Sequence, residues 1–190
     1  QTCALPILFL LGGDDKKIWE VQSNNYKKIF LADLVSDNSI TKFVNSSIPF
    51  NDKWYVPANS TRFSSEFVAD GKGNWKLRAE VIPELNELAK AFYKEFNTRF
   101  TINSSYRSYA YQKWIKDRGC PDNLCAKAGF SEHQSGLWFD IFAIESESYW
   151  KNRSYLWNYY EWLDKNAAQY GFTNTYQKGL EIDGYDIEPW

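Results

Sequence analysis

Apolar residues recur at helical spacing in three stretches of the chain, residues 77–96, 109–118 and 154–170. Spacings of three and four residues bring the apolar side chains onto one face of a helix, so each stretch predicts an amphipathic helix. Gly119 and Gly171 directly follow the second and third stretches. Glycine is common just beyond a helix end, and these two positions therefore predict where the helices stop.

Shorter apolar runs have the alternating character of strands. They cover residues 100–106, 137–143, 172–176 and 182–188. These runs do not alternate strictly with the helices, and the last two can pair with each other as a hairpin-like ladder. The pattern therefore predicts a single α+β domain with a small, mostly antiparallel sheet flanked by helices.

The chain divides into three parts. Residues 77–190 hold the predicted helices and form the expected functional domain. Residues 14–76 are polar with several turn signals, and they predict an N-terminal extension of loops and short elements. We interpret residues 1–13 as a sequencing or processing scar, or as the end of a signal segment. The reasons are that residues 1–7 match the translation of a common sequencing adapter and that position 1 is not methionine.

Composition narrows the class of partner. The chain has 24 acidic and 22 basic residues and a formal charge of -2, so it lacks the basic field that a nucleic-acid partner would need. Aromatic residues make up 18% of the chain and include nine tryptophans and thirteen tyrosines. This content predicts a core rich in aromatic side chains, and a groove for a peptide or a sugar polymer is the functional alternative.

Cys120 and Cys125 are separated by four residues. Cysteine metal sites prefer two intervening residues and a second pair, and the sequence has neither. A small disulfide loop is therefore the prediction, and it would suit an extracytoplasmic protein. Two unpaired thiols are the alternative.

The only histidine of the chain, His133, lies seven residues before Asp140, which stands inside an apolar run. A buried carboxylate needs a cationic partner or a metal ion, and imidazole with carboxylate is a common pair of zinc ligands. Positions seven apart in a strand point in opposite directions, so the two side chains converge only if Ser135 and Gly136 bend the chain. The pair indicates either a structural hydrogen bond or part of a metal site.

Two further charged residues stand where they could act on a substrate. Arg107 ends a predicted strand, where it could form a surface salt bridge or a fixed fork for a carboxylate or an oxyanion. Glu188 lies within the last five residues of the sequence, Asp186 to Trp190. It could be an exposed carboxylate or a general base beside a metal-bound water.

Four blocks of the sequence together resemble the signature of VanY-type D-alanyl-D-alanine carboxypeptidases, zinc peptidases of the family that also includes VanX-type dipeptidases. The blocks follow the family's order. They are Ser105-Tyr106-Arg107-Ser108, then Gln112, then Ser131-Glu132-His133-Gln134-Ser135-Gly136-Leu137 with Asp140, then Glu188-Pro189-Trp190. The resemblance covers about residues 77–190, and it implies a small antiparallel sheet flanked by helices.

The resemblance implies a zinc site and a catalytic base. His133 and Asp140 match two of the family's three zinc ligands. Glu188 matches the base that deprotonates a zinc-bound water for attack on the peptide carbonyl. The implied cofactor is therefore Zn2+, and the implied reaction is hydrolysis of a peptide bond.

The resemblance also implies how a substrate is held. Arg107 matches the arginine that steadies the oxyanion and orients the substrate, and Gln112 and Ser131 match polar substrate contacts. The implied substrate is a peptidoglycan stem peptide ending in D-alanine, which lies outside the cytoplasmic membrane. A membrane anchor on the intact protein would fit this location. No partner protein is implied, so a monomer is expected.

The sequence departs from the family pattern in two places. The family continues Glu-Pro-Trp with a histidine, the third zinc ligand, whereas this sequence ends at Trp190. We therefore expect the domain to be truncated and this polypeptide to bind zinc weakly and to have little activity. Trp138 stands where the family often has a small residue, and it could narrow the pocket. The alternatives are an L,D-carboxypeptidase, an endopeptidase of the same fold, or a non-catalytic cell-wall-binding module.

Overall fold

The computed structural model describes residues 34–71, 75–176 and 185–190. The predictions for residues 1–13, for the first part of the N-terminal extension and for residues 182–184 lie outside the described residues. Within the described ranges, no helix is long and apolar enough to cross a membrane.

The first helix, α1, runs over Ile82–Phe96 and buries one apolar face. It begins later than the periodicity predicts, because residues 77–78 form a strand and Ala79–Val81 form a 3-10 turn. Pro83 stands in the first turn of α1, where a missing N–H costs nothing. The helix ends at Asn97, whose left-handed backbone (φ 48°) closes its last turn.

Three more helices follow, and two of them were predicted. Helix α2 covers Tyr109–Asp117, and the Ser108 hydroxyl accepts a hydrogen bond from its first turn. Helix α3, Glu147–Lys151, is too short to give a clear periodic signal. Helix α4 covers Ser154–Asn166 and continues as a 3-10 turn over Ala167–Tyr170.

The strands form two small sheets. Strand β1 (Ser60–Thr61) pairs antiparallel with β3 (Leu77–Arg78). Strand β2 (Val68–Asp70) pairs parallel with β4 (Phe100–Ser104), which pairs antiparallel with β5 (Asp140–Ile141). The α+β class and the mostly antiparallel pairing are confirmed. The parallel pair is possible because α1 provides the crossover between its strands.

Several predicted strands are shorter or absent. The run 137–143 pairs only at residues 140–141, because the backbone of Phe142 turns to a positive φ of 52°. The predicted strand 172–176 is wrong, and residues 185–188 are irregular as well. These two segments do lie side by side, since the Glu188 amide donates to the Tyr176 carbonyl over 3.2 Å. They lack the regular ladder that defines a strand pair.

The core is built around Phe92, which is fully buried on α1. Its ring packs against five other aromatic rings at centroid distances of up to 5.6 Å, those of Phe96, Phe100, Phe142, Tyr159 and Trp162. This cluster joins α1, β4 and α4 into one body. The aromatic-rich composition therefore does serve a core, as predicted.

Residues 34–59, here called the N-terminal wrap, contact the domain at Gly129, Gln134 and Arg78. The Asp37 carboxylate closes the wrap on itself, because it accepts backbone hydrogen bonds from Asn51 (3.0 Å) and Asp52 (2.8 Å). It also pairs at 2.9 Å with Lys42, whose side chain is almost fully buried. Burial raises the pKa of Asp37, but the hydrogen bonds from Asp52, Lys42 and Asn51 outweigh burial and hold the pKa below its ordinary value.

Candidate active site

His133 stands on a sharp turn. Residues 132–135 form a 3-10 turn that ends at Gly136, whose φ is +72°. The Ser135 hydroxyl fixes the turn, since it donates to the Glu132 carbonyl (2.7 Å) and accepts from the Leu137 amide (3.1 Å). The structure thus contains the bend at Ser135 and Gly136 that convergence of His133 with Asp140 requires.

The His133 and Asp140 side chains face each other across this bend. The distance from His133 Nε2 to Asp140 Oδ1 is 3.3 Å, and His133 Nδ1 lies 2.7 Å from the Ser105 carbonyl oxygen. A carbonyl oxygen can only accept, so Nδ1 carries the hydrogen and donates it. In neutral His133 the Nε2 lone pair therefore faces a carboxylate oxygen. Two acceptors this close need a proton or a metal cation between them.

Asp140 is held in its charged form. It lies on β5 opposite Ser104 of β4 and is only 8% exposed. Burial raises the pKa of Asp140, but the His133 charge and hydrogen bond, the Arg107 charge and a Ser104 hydrogen bond together hold it below the ordinary value. A buried carboxylate beside an imidazole nitrogen suits a divalent cation such as zinc. Among the described residues no cluster of three or more potential ligands occurs, so this pair supplies two.

Arg107 joins the histidine turn to the carboxylate. Its amide donates to the His133 carbonyl over 3.2 Å, and its guanidinium Nη2 lies 3.7 Å from Asp140 Oδ2. The Nε–H is buried and has no hydrogen-bond partner among the described residues. An unsatisfied guanidinium edge in a cleft is suited to a carboxylate or an oxyanion.

Gln112 and Ser131 are buried polar residues in the same cleft. Gln112 donates its Nε2 to the Ala126 carbonyl over 2.7 Å, which leaves its buried Oε1 without a partner in the described part of the chain. That oxygen can accept an N–H from a bound peptide. The Ser131 carbonyl accepts from the Gln134 amide at 3.0 Å, so Ser131 also belongs to the turn that carries His133.

Glu188 reaches the cleft from the C-terminal segment. The Asn174 side chain donates to the Glu188 carbonyl over 2.8 Å. Burial raises the pKa of Glu188 to about 8, and the Asp140 charge adds to the rise, whereas the Arg107 charge opposes it. A carboxyl group with a pKa near neutrality is suited to exchanging a proton with a substrate.

All six predicted site residues line one cleft of about 220 Å³. Two other walls of the cleft are formed by residues that the sequence did not single out. Residues 40–42 of the N-terminal wrap form one wall, and residues 124–126 form another. The second wall belongs to a disulfide loop, because Cys120 and Cys125 are bonded as predicted, with a Cα–Cα distance of 5.9 Å. The wrap gives no such signal, since its sequence is mixed and lacks periodicity.

The disulfide loop is tied to the segment that carries Glu188. The Asn123 side chain donates to the Asp186 carboxylate over 2.8 Å, and the Asp186 amide donates to the Asn123 carbonyl over 2.9 Å. These two bonds join the disulfide loop to the C-terminal segment, and both of these elements line the cleft. They place Asn123 among the residues that sequence reasoning missed.

Residues 74–190 match the model of the VanY family, described as D-alanyl-D-alanine carboxypeptidase. The chain belongs to this family. The match contains every residue that the four sequence blocks singled out, and it begins after the N-terminal wrap.

Two relatives of the VanY domain are similar to this chain. A D-alanyl-D-alanine carboxypeptidase of Enterococcus faecium is 29% identical over 119 residues, which are 62% of this chain and 37% of that protein. A putative carboxypeptidase of Bacillus subtilis (strain 168), YodJ, is 31% identical over 180 residues, 88% of this chain and 64% of that protein. The chain therefore spans less than two thirds of the length of either relative.

Solved VanY-like structures share the fold. The LD-carboxypeptidase LdcB superposes with a TM-score of 0.68 at 29% identity, over 81% of this chain and 75% of that one. A mutant of the vancomycin-resistance D,D-pentapeptidase VanY in complex with Zn(II) superposes with a TM-score of 0.57 at 25% identity, over 78% of this chain and 83% of that one. The two matches carry different names for the bond cleaved.

Proposed function

We propose that this chain is the catalytic part of a zinc-dependent D,D-carboxypeptidase that removes the terminal D-alanine from peptidoglycan stem peptides. One observation supports the metal: His133 Nε2 and Asp140 Oδ1 lie 3.3 Å apart, close enough to bind one cation together. The choice of substrate rests on the description of the matching family and of the Enterococcus faecium relative. Such an enzyme acts outside the cytoplasmic membrane and needs no partner subunit.

His133 and Asp140 would hold the zinc, and the resemblance predicts a histidine directly after Trp190 as the third ligand. When bound, zinc supplies positive charge that polarises the scissile carbonyl, activates a water and favours the carboxylate form of Glu188. The Ser105 carbonyl keeps the hydrogen of His133 on Nδ1, so Nε2 stays available as a ligand.

The other side chains of the cleft act on the peptide, each in a different role. Glu188 takes a proton from the attacking water and returns it to the leaving amine as the C–N bond breaks. The Arg107 guanidinium stabilises the negative charge that develops on the carbonyl oxygen and orients the substrate. Gln112 accepts an N–H of the peptide through its unpaired Oε1, and Ser131 provides a further polar contact.

An L,D-carboxypeptidase is the second candidate. The structural likeness to LdcB has a TM-score of 0.68, higher than the 0.57 for the D,D-pentapeptidase VanY. Both reactions need the same zinc, base and arginine, and they differ in the residue that precedes the scissile bond. Trp138, which lines the cleft, would influence that choice.

The deciding experiment is product analysis on two defined stem peptides, a pentapeptide ending in D-Ala-D-Ala and a tetrapeptide ending in a single D-Ala. It uses the chain continued by histidine after Trp190, beside the chain as it stands, with zinc measured by elemental analysis. Release of D-alanine from the pentapeptide supports the D,D assignment, and release from the tetrapeptide supports the L,D assignment. Internal fragments alone would point to an endopeptidase. Zinc in neither chain would count against a peptidase and favour a binding module.

A further inference from the structure

We propose that Gln134 and the N-terminal wrap act together as a positioning unit for His133. The wrap lies outside residues 74–190, the part that matches the family model. Its contacts nevertheless converge on the turn that presents the imidazole. This inference rests on the proposed function only where it treats His133 as a zinc ligand.

Gln134 links the turn to the wrap. Its side chain is 1% exposed, and its Nε2 donates to the carbonyls of Lys53 (2.9 Å) and Tyr55 (3.2 Å). Both amide hydrogens are therefore used on backbone acceptors about 80 residues earlier in the chain. Gln134 follows His133 in the same 3-10 turn, so its two side-chain bonds restrain the backbone that carries the imidazole.

The other end of the turn also meets the wrap. A Cβ atom on Gly136 would lie 3.1 Å from Pro57 Cγ and 3.3 Å from Arg78 Cγ, so the wrap packs directly against the glycine. The Gly136 carbonyl accepts from the Arg78 amide over 2.9 Å. The guanidinium of Arg78 in turn donates to the carbonyls of Asn38 (3.0 Å) and Ser39 (3.3 Å) in the wrap.

The wrap is itself rigid enough to serve as a support. Asp37 ties its start to Asn51 and Asp52, directly before the carbonyls that hold Gln134. The Phe50 amide also donates to the Gly129 carbonyl over 2.9 Å, which fixes the wrap to the functional domain. Metal ligands must be held within fractions of an ångström, and such fixation comes from the residues around them.

The test uses the fact that the chain has one histidine. Its imidazole Cε1–H signal in a proton NMR spectrum therefore reports on His133 alone. In metal-free protein, Gln134→Met keeps the shape of the side chain but removes both donors, and we expect the signal to move toward the position seen in unfolded chain. Asp37→Asn loosens the wrap from a distance and should move the signal in the same direction by a smaller amount.

The matched control is Arg99→Met. Arg99 Nη2 also donates to two backbone carbonyls, those of Ser65 (2.8 Å) and Val68 (2.7 Å), but Arg99 is not among the residues that line the cleft. This variant loses comparable hydrogen bonds and should leave the His133 signal unchanged. An unchanged signal in both Gln134→Met and Asp37→Asn would overturn the inference, as would an equal shift in Arg99→Met. If Gln134→Met does not fold, Asp37→Asn against Arg99→Met decides.

Zinc affinity provides the second measurement, by titration against a competing chelator on the chain continued by histidine. We expect Gln134→Met to weaken zinc binding about 10-fold and Arg99→Met to leave it unchanged. Equal affinities in Gln134→Met and in the parent chain would refute the positioning role. If the parent chain itself takes up no zinc, the proposed function fails, and the NMR comparison still decides whether the wrap positions His133.

Discussion

The two sides of the cleft are held in place differently. His133 stands on a turn fixed by partly buried hydrogen bonds, including those of Gln134 and the 2.7 Å bond to the Ser105 carbonyl. Glu188 stands on an irregular segment whose link to Asn123 is exposed to solvent. The difference indicates that the two proposed metal ligands are preorganised, whereas the proposed base can adjust to the substrate.

The largest effects are expected when the acting side chain on each side of the cleft is replaced in turn. We expect His133→Ala to lose both zinc and turnover. Glu188→Gln should keep zinc and lose turnover by about 10³-fold, because only the proton acceptor is removed. Elemental analysis with product assays on a stem peptide measures both. Glu161→Gln, the same change outside the cleft, is the control, and retained turnover in Glu188→Gln would refute the assigned base.

A smaller effect is expected from Arg107→Lys, because Arg107 lies between the two sides. Lysine keeps the charge but loses the planar fork and the buried Nε–H, so we expect kcat/KM to fall about 10²-fold with zinc affinity little changed. Steady-state kinetics measures this. Arg99→Lys is the same substitution outside the cleft, and a similar loss there would mean that the effect is on folding.

Asn123→Ala tests the side of the cleft that carries Glu188. It removes the hydrogen bond to the Asp186 carboxylate but keeps the backbone bond between the two residues. We expect kcat to fall only a few-fold, about 3-fold, as for loss of one exposed hydrogen bond. The comparison of kcat with zinc affinity is the measurement. Asn166→Ala, which removes a side-chain hydrogen bond to the Trp162 carbonyl outside the cleft, is the control. A loss of zinc in Asn123→Ala would contradict the separation of the two sides.

The last effect is on stability rather than on activity, and it depends on pH. The folded-state pKa of Asp37 lies below the ordinary value of 3.8, so its charged form stabilises the fold at neutral pH and this contribution is lost as the pH falls through the folded pKa. We expect Asp37→Asn to lower the free energy of unfolding by about 2 kcal/mol at pH 7. Urea unfolding at several pH values should show the gap closing in acid, and a gap that stays constant would contradict this origin.

The sequence predicts the helices well and the strands less well. The periodicity of residues 77–96 locates α1 but not its start, because pairing of residues 77–78 with β1 competes with the helix. The predicted strand 172–176 fails for a related reason, as does the described part of the last one, residues 185–188. Alternation of apolar residues shows which faces could be buried, but it does not show whether two segments form a ladder.

The candidate site also has a part that the sequence predicts and a part that it does not. The six residues that the sequence singled out do lie in one cleft. They could be recognised because their residue types carry the chemistry, although their roles remain predictions. The contribution of the wrap is invisible in the sequence, since the acceptors for Gln134 are the backbone carbonyls of Lys53 and Tyr55. A carbonyl is present at every residue, so no residue type marks it.

The parallel pairing of β2 with β4 has a consequence for how the protein can be divided. Strand β2 ends at residue 70, before the family match begins at residue 74. A piece cut at that boundary would leave Phe100–Ser104 as an uncovered edge with unpaired amides and carbonyls. Such an edge can pair with strands from other molecules, so we expect the shortened protein to aggregate.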